Sequence, residues 1–277
     1  MRVHVPDGTP FPGALERCTH LGICAHQDDL EFLAFHGIVA CHGRTDRWFG
    51  GVVCTDGAGS ARQGRYAGCS DEDMKEIRAA EQERAADLGE YGIVIQLGLS
   101  SRAAKDAADT GLRSSLSEIL SHIRPEVVYT HNPADKHDSH LAVFAAAIET
   151  LRSLDPARRP KAVYGCEGWR NLDWLDDREK VVLDVSGHDA LARELNAVFD
   201  SQIAGGKRYD LAVEGRRRAH ATFFDSHACD AADSVIYAMD LTPLVEQPGL
   251  DIGDWVTSHV DRFRSAVADG LRRHLRG

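Results

Sequence analysis

Short apolar runs alternate with longer, helically spaced amphipathic runs along the first 165 residues. Residues 18–25, 49–55, 92–97, 126–130 and 162–166 read as strands. Between them, 29–41, 71–88, 110–123 and 137–154 read as helices. Leu30, Leu33, Ala34, Gly37, Ile38 and Cys41 mark one face of the first of these, Gly89 stops the second, and Pro125 follows the third. A Gly-rich polar loop fills 56–70. Repeated β–α units predict an α/β, Rossmann-like fold: a mostly parallel sheet with right-handed crossovers and helices on both faces. The rest of the chain is less regular, with strands expected at 180–185 and 234–240 and helices at 189–199, 207–224 and 251–275. The stretch 155–161 is the best candidate boundary. A strand follows it at once, so 1–277 reads as a single domain, with an α/β core over 1–165 and a C-terminal elaboration of the substrate pocket over 166–277.

At 277 residues, 43% hydrophobic and 27% charged, the chain can bury a large core as an ordinary soluble protein. Its apolar runs are too short to span a bilayer. The start, Met1-Arg2-Val3-His4-Val5-Pro6-Asp7, lacks the apolar stretch of a secretory signal, so a cytoplasmic location is expected. A net charge of −11 with no basic block argues against a nucleic-acid partner, though a small phosphorylated substrate needs only one or two cations. Seven cysteines without a Cys-x-x-Cys pair indicate neither a disulfide scaffold nor a thiolate zinc site, and Cys69, in a polar loop, is the thiol expected to react first. A homo-oligomer is compatible with the sequence.

Two clusters carry the candidate chemistry. Ala25-His26-Gln27-Asp28-Asp29 and Asp135-Lys136-His137-Asp138-Ser139-His140 each sit where a predicted strand hands over to a helix. In open α/β sheets that edge is where ligands bind. His26 and Asp29 are three apart, as are His137 and His140, so each pair can converge on one point. His26, Asp29 and His140 would make a two-His, one-carboxylate set for a divalent metal that keeps an open position. Asp28 would then serve as the general base and His137 as donor to a developing oxyanion or to a leaving amine. Asp28 could instead simply cap the following helix.

These residues resemble the PIG-L/LmbE-like deacetylases. Ala25-His26-Gln27-Asp28-Asp29 is similar to that family's Ala-His-Pro-Asp-Asp-Glu motif, and the 135–140 segment to its Asp-Arg-His-Pro-Asp-His. Residues 52–59 match its strand and Gly loop, and Ile77-Arg78-Ala79-Ala80-Glu81 its Arg-x-x-Glu helix, all within about 15–165. The resemblance implies a Rossmann-like fold, a Zn2+ or other divalent cofactor, and removal of an N-acetyl group from a small sugar-type substrate. It also implies metal ligands at His26, Asp29 and His140, a base at Asp28, an oxyanion donor at His137 and a substrate-facing arginine at Arg78. Three departures stand out. Gln27 replaces Pro, Leu30 replaces Glu, and Asp138-Ser139 replaces Pro-Asp, which removes a carboxylate expected to orient a histidine unless Asp138 or Asp135 compensates.

Further substrate contacts are expected from Asp56 in the Gly loop and from Trp169 and Arg170, an indole and a guanidinium suited to a sugar face and an anion. The one basic concentration, Gly205-Gly206-Lys207-Arg208-Tyr209 followed by Arg216-Arg217-Arg218, reads first as a solvated helix face, with a clamp for an anionic substrate group as the alternative. Two rival readings stay open. One is an Fe(II) enzyme using the same donor set, although such oxygenases mostly sit on all-β barrels. The other is a non-catalytic α/β binding module in which Gln27, Leu30 and Ser139 mark lost activity.

Overall fold

The computed structural model describes residues 1–275. Its strands are β1 (Arg2–His4), β2 (Cys18–Cys24), β3 (Trp48–Thr55), β4 (Ile93–Leu99), β5 (Val127–His131), β6 (Ala162–Cys166), β7 (Lys180–Asp184) and β8 (Val235–Asp240). They form one sheet in the order β1-β4-β3-β2-β5-β6-β8-β7. β2 through β6 pair in parallel, as the repeated β–α units predict. β1 adds antiparallel to β4, and β8 lies antiparallel to both β6 and β7. No helix among the described residues is long and apolar enough to cross a membrane.

Alternation along the strands feeds two cores. Leu21, Ile23, Val52 and Val128 point to one face, where they meet the helices Gly111–His122 and Asp138–Ser153 through Leu116, Leu120, Val143 and Ala147. Cys24, Val53, Val94 and Tyr129 point to the other, under Leu30, Leu33, Phe35 and Ile38. On that second face, Gly22 of β2 pairs in register with Gly51 of β3. A Cβ at either would lie 2.5–2.6 Å from a Leu30 methyl, so the glycine pair forms the hole that Leu30 fills. Leu30 is fully buried, which gives the Leu30 departure from the family pattern a packing role.

The structure corrects several expectations. The helix expected over 29–41 is two, Asp29–Leu33 and Phe35–Cys41, broken at Ala34. The break has a partner: Arg217 donates Nη2 to the carbonyls of Glu31 (2.8 Å) and Phe32 (3.1 Å), the groups a helix end leaves without an intrahelical donor. Arg217 is therefore buried, its guanidinium 4.4 Å from the Phe35 ring centroid, and the solvated basic face expected at 216–218 does not exist. Arg218 instead pairs with Asp189 and Asp233. Cys229 is more exposed than Cys69.

Candidate active site

Three neighbouring strands are tied together at their C-terminal ends. Thr55 donates both its backbone N–H and its hydroxyl to the Ala25 carbonyl, at 2.8 Å each. The Thr130 hydroxyl donates to the Ile23 carbonyl (2.9 Å), and the Ala25 N–H donates to His131 Nε2 (2.8 Å). The strand order reverses between β2 and β5, because β3 and β4 extend to one side of β2 and β5 and β6 to the other. A crevice opens at such a switch point. The residues after β2 and those after β5 face each other across it.

There His26 Nδ1, Asp29 Oδ2 and His140 Nε2 form a triangle with sides of 3.2, 3.2 and 3.4 Å. A tetrahedral cation with bonds of about 2.0–2.1 Å requires ligand atoms about 3.3 Å apart. The three donors fit that figure without movement. The other ring nitrogen of His140 faces Asp135 Oδ2 at 3.2 Å, which directs Nε2 into the triangle. Asp135 thus supplies the carboxylate that the Asp138-Ser139 departure removes. Burial disfavours a proton on His140, but Asp29 and Asp135 outweigh it and raise its pKa to about 10. Asp29 is held well below the usual carboxylate range, against its burial, by His140 and His26. Two anions around one buried proton make an environment that a metal cation can take over.

Two more histidines share the cluster, and each has a different situation. The ring nitrogens of His131 come within 4.8 Å of the Asp29 and His140 donors. Its Nε2 already accepts from the Ala25 N–H, so its proton sits on Nδ1 and it has no free lone pair to offer. Burial also pushes His131 well below the ordinary imidazole value, keeping it neutral. His137 is half-buried beside His26 and His140, with ring centroids 4.9 and 4.7 Å away. Burial and these neighbours lower its pKa, so near neutrality it is an uncharged donor.

Asp28 occupies φ 84°, ψ −30°, and its side chain makes no helix-capping bond, so the cap alternative does not apply. Its Oδ2 accepts from Arg78 Nη2 at 2.8 Å, and its backbone N–H donates to Gln82 Oε1 at 3.2 Å. Burial raises the Asp28 pKa while Arg78 opposes the rise. Arg78 is 2% exposed and donates to the Gln27 carbonyl as well. It lines the cleft while pairing with Asp28. Gln27, which stands where the family has Pro, spends its amide on Gln96 Oε1 (3.1 Å) and the Thr55 carbonyl (3.3 Å), linking the loop to β3 and β4.

The triangle opens into a cleft of about 680 Å3. Of the secondary candidates, Trp169 lines it beside His137, with rings 6.2 Å apart and nearly parallel. Asp56 and Arg170 are not brought to it. The Asp56 carboxylate accepts from the Ala58 N–H and faces Lys75, and the exposed Arg170 contributes only its carbonyl, to Asn132. The cleft wall also holds Lys207 and Tyr209, from the basic stretch, and Glu167, which the sequence reading missed. Glu167 is buried and hydrogen-bonded by His220 from a distant helix. No local spacing links Glu167 to His220, so no sequence pattern marks it.

The comparisons with known proteins agree with this geometry. Residues 21–151 match the PIG-L family model, described as GlcNAc-PI de-N-acetylase. This segment, just under half of the chain, matches a PIG-L domain. It contains both clusters, both ends of the switch point and the helix that carries Arg78. Solved structures share the fold over most of the chain. The conserved protein TT1542 from Thermus thermophilus is 18% identical, covering 84% of this chain and 99% of its own, with a TM-score of 0.62. GalB, the 4-carboxy-2-hydroxymuconate hydratase from Pseudomonas putida, is 18% identical over 81% of this chain and 96% of its own, at 0.61. The N,N'-diacetylchitobiose deacetylase from Pyrococcus horikoshii, in complex with an inhibitor, is 16% identical over 84% and 88%, at 0.59. Covering 81–84% of this chain, these likenesses extend beyond the PIG-L segment. No curated protein sequence matches the chain.

Proposed function

We propose that this chain is a metal-dependent hydrolase that removes an N-acetyl or related acyl group from a small amino-sugar-type molecule. The observation that carries the reading is the donor triangle of His26, Asp29 and His140, with sides near those of a tetrahedral site. These three side chains would hold Zn2+ or another divalent ion. Bound there, the ion supplies Lewis acidity to a water and to the scissile carbonyl.

The protein groups divide the remaining work. Asp28, held by Arg78, accepts the proton of the attacking water and returns it to the leaving nitrogen. Its raised pKa suits both directions of transfer near neutral pH. His137, uncharged, donates an N–H to the oxygen that gains charge as the carbonyl carbon becomes tetrahedral. Trp169 offers a flat apolar face beside His137 for the sugar ring. The PIG-L match and the fold shared with a chitobiose deacetylase support the amide as the bond cut. Hydration of a carbon–carbon double bond is the second reading, because a hydratase shares the fold at a similar TM-score.

Acetate and free amine released from a panel of N-acetyl sugars, with and without chelator, test the proposal. Acetate release that stops on chelation and returns with metal is expected. Asp28→Asn should keep its metal and lose at least about 100-fold in kcat. Metal-replete protein that hydrates an enol-acid substrate and releases no acetate would move the assignment to the second reading. Oxygen uptake without acetate would favour the Fe(II) rival, and weak or absent metal the binding module.

A further inference from the structure

We propose that the molecule bound in this cleft carries an anionic group, a carboxylate or phosphate, about one sugar ring from its amide, and that Lys207 and Arg216 hold that group. The proposal takes the position of the amide from the deacetylase reading. The anion site itself stands on separate residues.

The chain is acidic overall, with 43 Asp and Glu against 32 Lys and Arg. Of the four cations that line the cleft, Arg78 is paired with Asp28, and Lys105, on the short helix Ser101–Lys105, is exposed and away from the Trp169 loop's contacts. Lys207 and Arg216 line the cleft and, among the described residues, have no carboxylate within ion-pair distance. Arg216 spends Nη1 on the Gly168 carbonyl (2.8 Å), which fixes it against the loop that carries Trp169. Lys207 Nζ lies 5.1 Å from the centre of the Trp169 ring.

The arm that presents Lys207 is held in place from below. Ser201 donates its N–H (2.7 Å) and its hydroxyl (2.6 Å) to the buried Glu81. Lys207 N–H donates back to the Gln202 carbonyl at 2.8 Å, closing a turn through Gly205 and Gly206. That turn tolerates only glycine. A Cβ at Gly205 would sit 2.0 Å from the Ser201 carbonyl, and Gly206 has φ +109°. Glu81 lies one helical turn from Arg78, so the helix Asp71–Leu88 positions the Asp28 base with one residue and the lysine arm with another.

Trp169 adjoins both groups: its ring is 6.2 Å from that of His137 and 5.1 Å from Lys207 Nζ. A pyranose resting on the indole, with its acetamide at His137, would place a substituent within reach of Lys207 and Arg216. A lysine whose only task is to cover an indole needs its methylenes and not its charge. That difference makes the idea testable.

Calorimetry on zinc-loaded protein compares N-acetylglucosamine with its 1-phosphate, its 6-phosphate and its uronic acid, which separate phosphate from carboxylate and one ring position from another. At least one anionic member should bind about tenfold or more tightly than the neutral sugar, with an advantage that shrinks as salt rises. Lys207→Met and Arg216→Gln should each cut that advantage severalfold, lowering the anionic sugar's affinity by more than the neutral sugar's. Gly205→Ala, which displaces the arm, should do the same. Equal binding of neutral and anionic sugars, no binding by any member, or an anionic preference that survives both charge-removing variants would overturn the proposal. Tight, Lys207-dependent binding of a phosphate or uronate that releases no acetate would uphold it while removing the deacetylase reading.

Discussion

Asp28 combines an uncommon backbone with a buried charge partner. A non-glycine residue at φ 84° is held there only when its surroundings over-determine it. Here Arg78 grips the side chain and Gln82 the backbone N–H. Arg78→Met would leave Asp28 buried without its cation, so we expect a loss of about 3–5 kcal/mol in denaturant unfolding and a fall in kcat. Arg78→Lys should recover only part of either, since one ammonium cannot copy two fixed guanidinium contacts. Leu30→Glu, which restores the family's residue, should destabilise by several kcal/mol by placing a carboxylate in the apolar hole formed by Gly22 and Gly51. A wild-type unfolding midpoint for that variant would contradict the packing account. The meeting of His26, Asp29 and His140 was legible because His26/Asp29 and His137/His140 carry an i, i+3 spacing that survives in three dimensions. The aim of Arg78 was not, because it depends on where the helix Asp71–Leu88 crosses the sheet.

The break at Ala34 shows why boundaries were harder to read than elements. The apolar spacing of 29–41 continues through the break, and only Arg217, more than 180 residues later, marks the carbonyls that are released there. β1 was missed for a related reason: three residues at a sheet edge carry no measurable alternation. β2 provides a pH test. Burial, with His36 and Arg47, lowers the His20 pKa to about 4. The unfolded chain takes up a proton at the ordinary value near 6.5, and the folded chain resists it until about pH 4. Unfolding therefore becomes easier as pH falls through that window, by up to about 3 kcal/mol from this one residue. The stability of the wild type should fall relative to that of His20→Gln as the pH is lowered from about 6.5 to about 4. Parallel curves would show that His20 titrates normally.

The parallel sheet and its two helical layers followed directly from alternating apolar runs, and the order reversal between β2 and β5 gives those layers a site. Residues separated by 114 positions meet there because two strand ends are neighbours across the reversal. The C-terminal part resisted reading for the opposite reason. Its strands join the same sheet antiparallel, and Glu167, Lys207 and Arg216 reach the cleft from three separate segments with no shared periodicity. The account depends most on one divalent ion bound by His26, Asp29 and His140. A crystal grown with zinc, measured at the zinc edge, tests it most directly. The account predicts a single anomalous peak per chain in this cleft, about 2.0–2.2 Å from His26 Nδ1, Asp29 Oδ2 and His140 Nε2, with His131 still accepting from Ala25. A peak ligated by His131, a peak away from the triangle, or no peak at saturating zinc would contradict it.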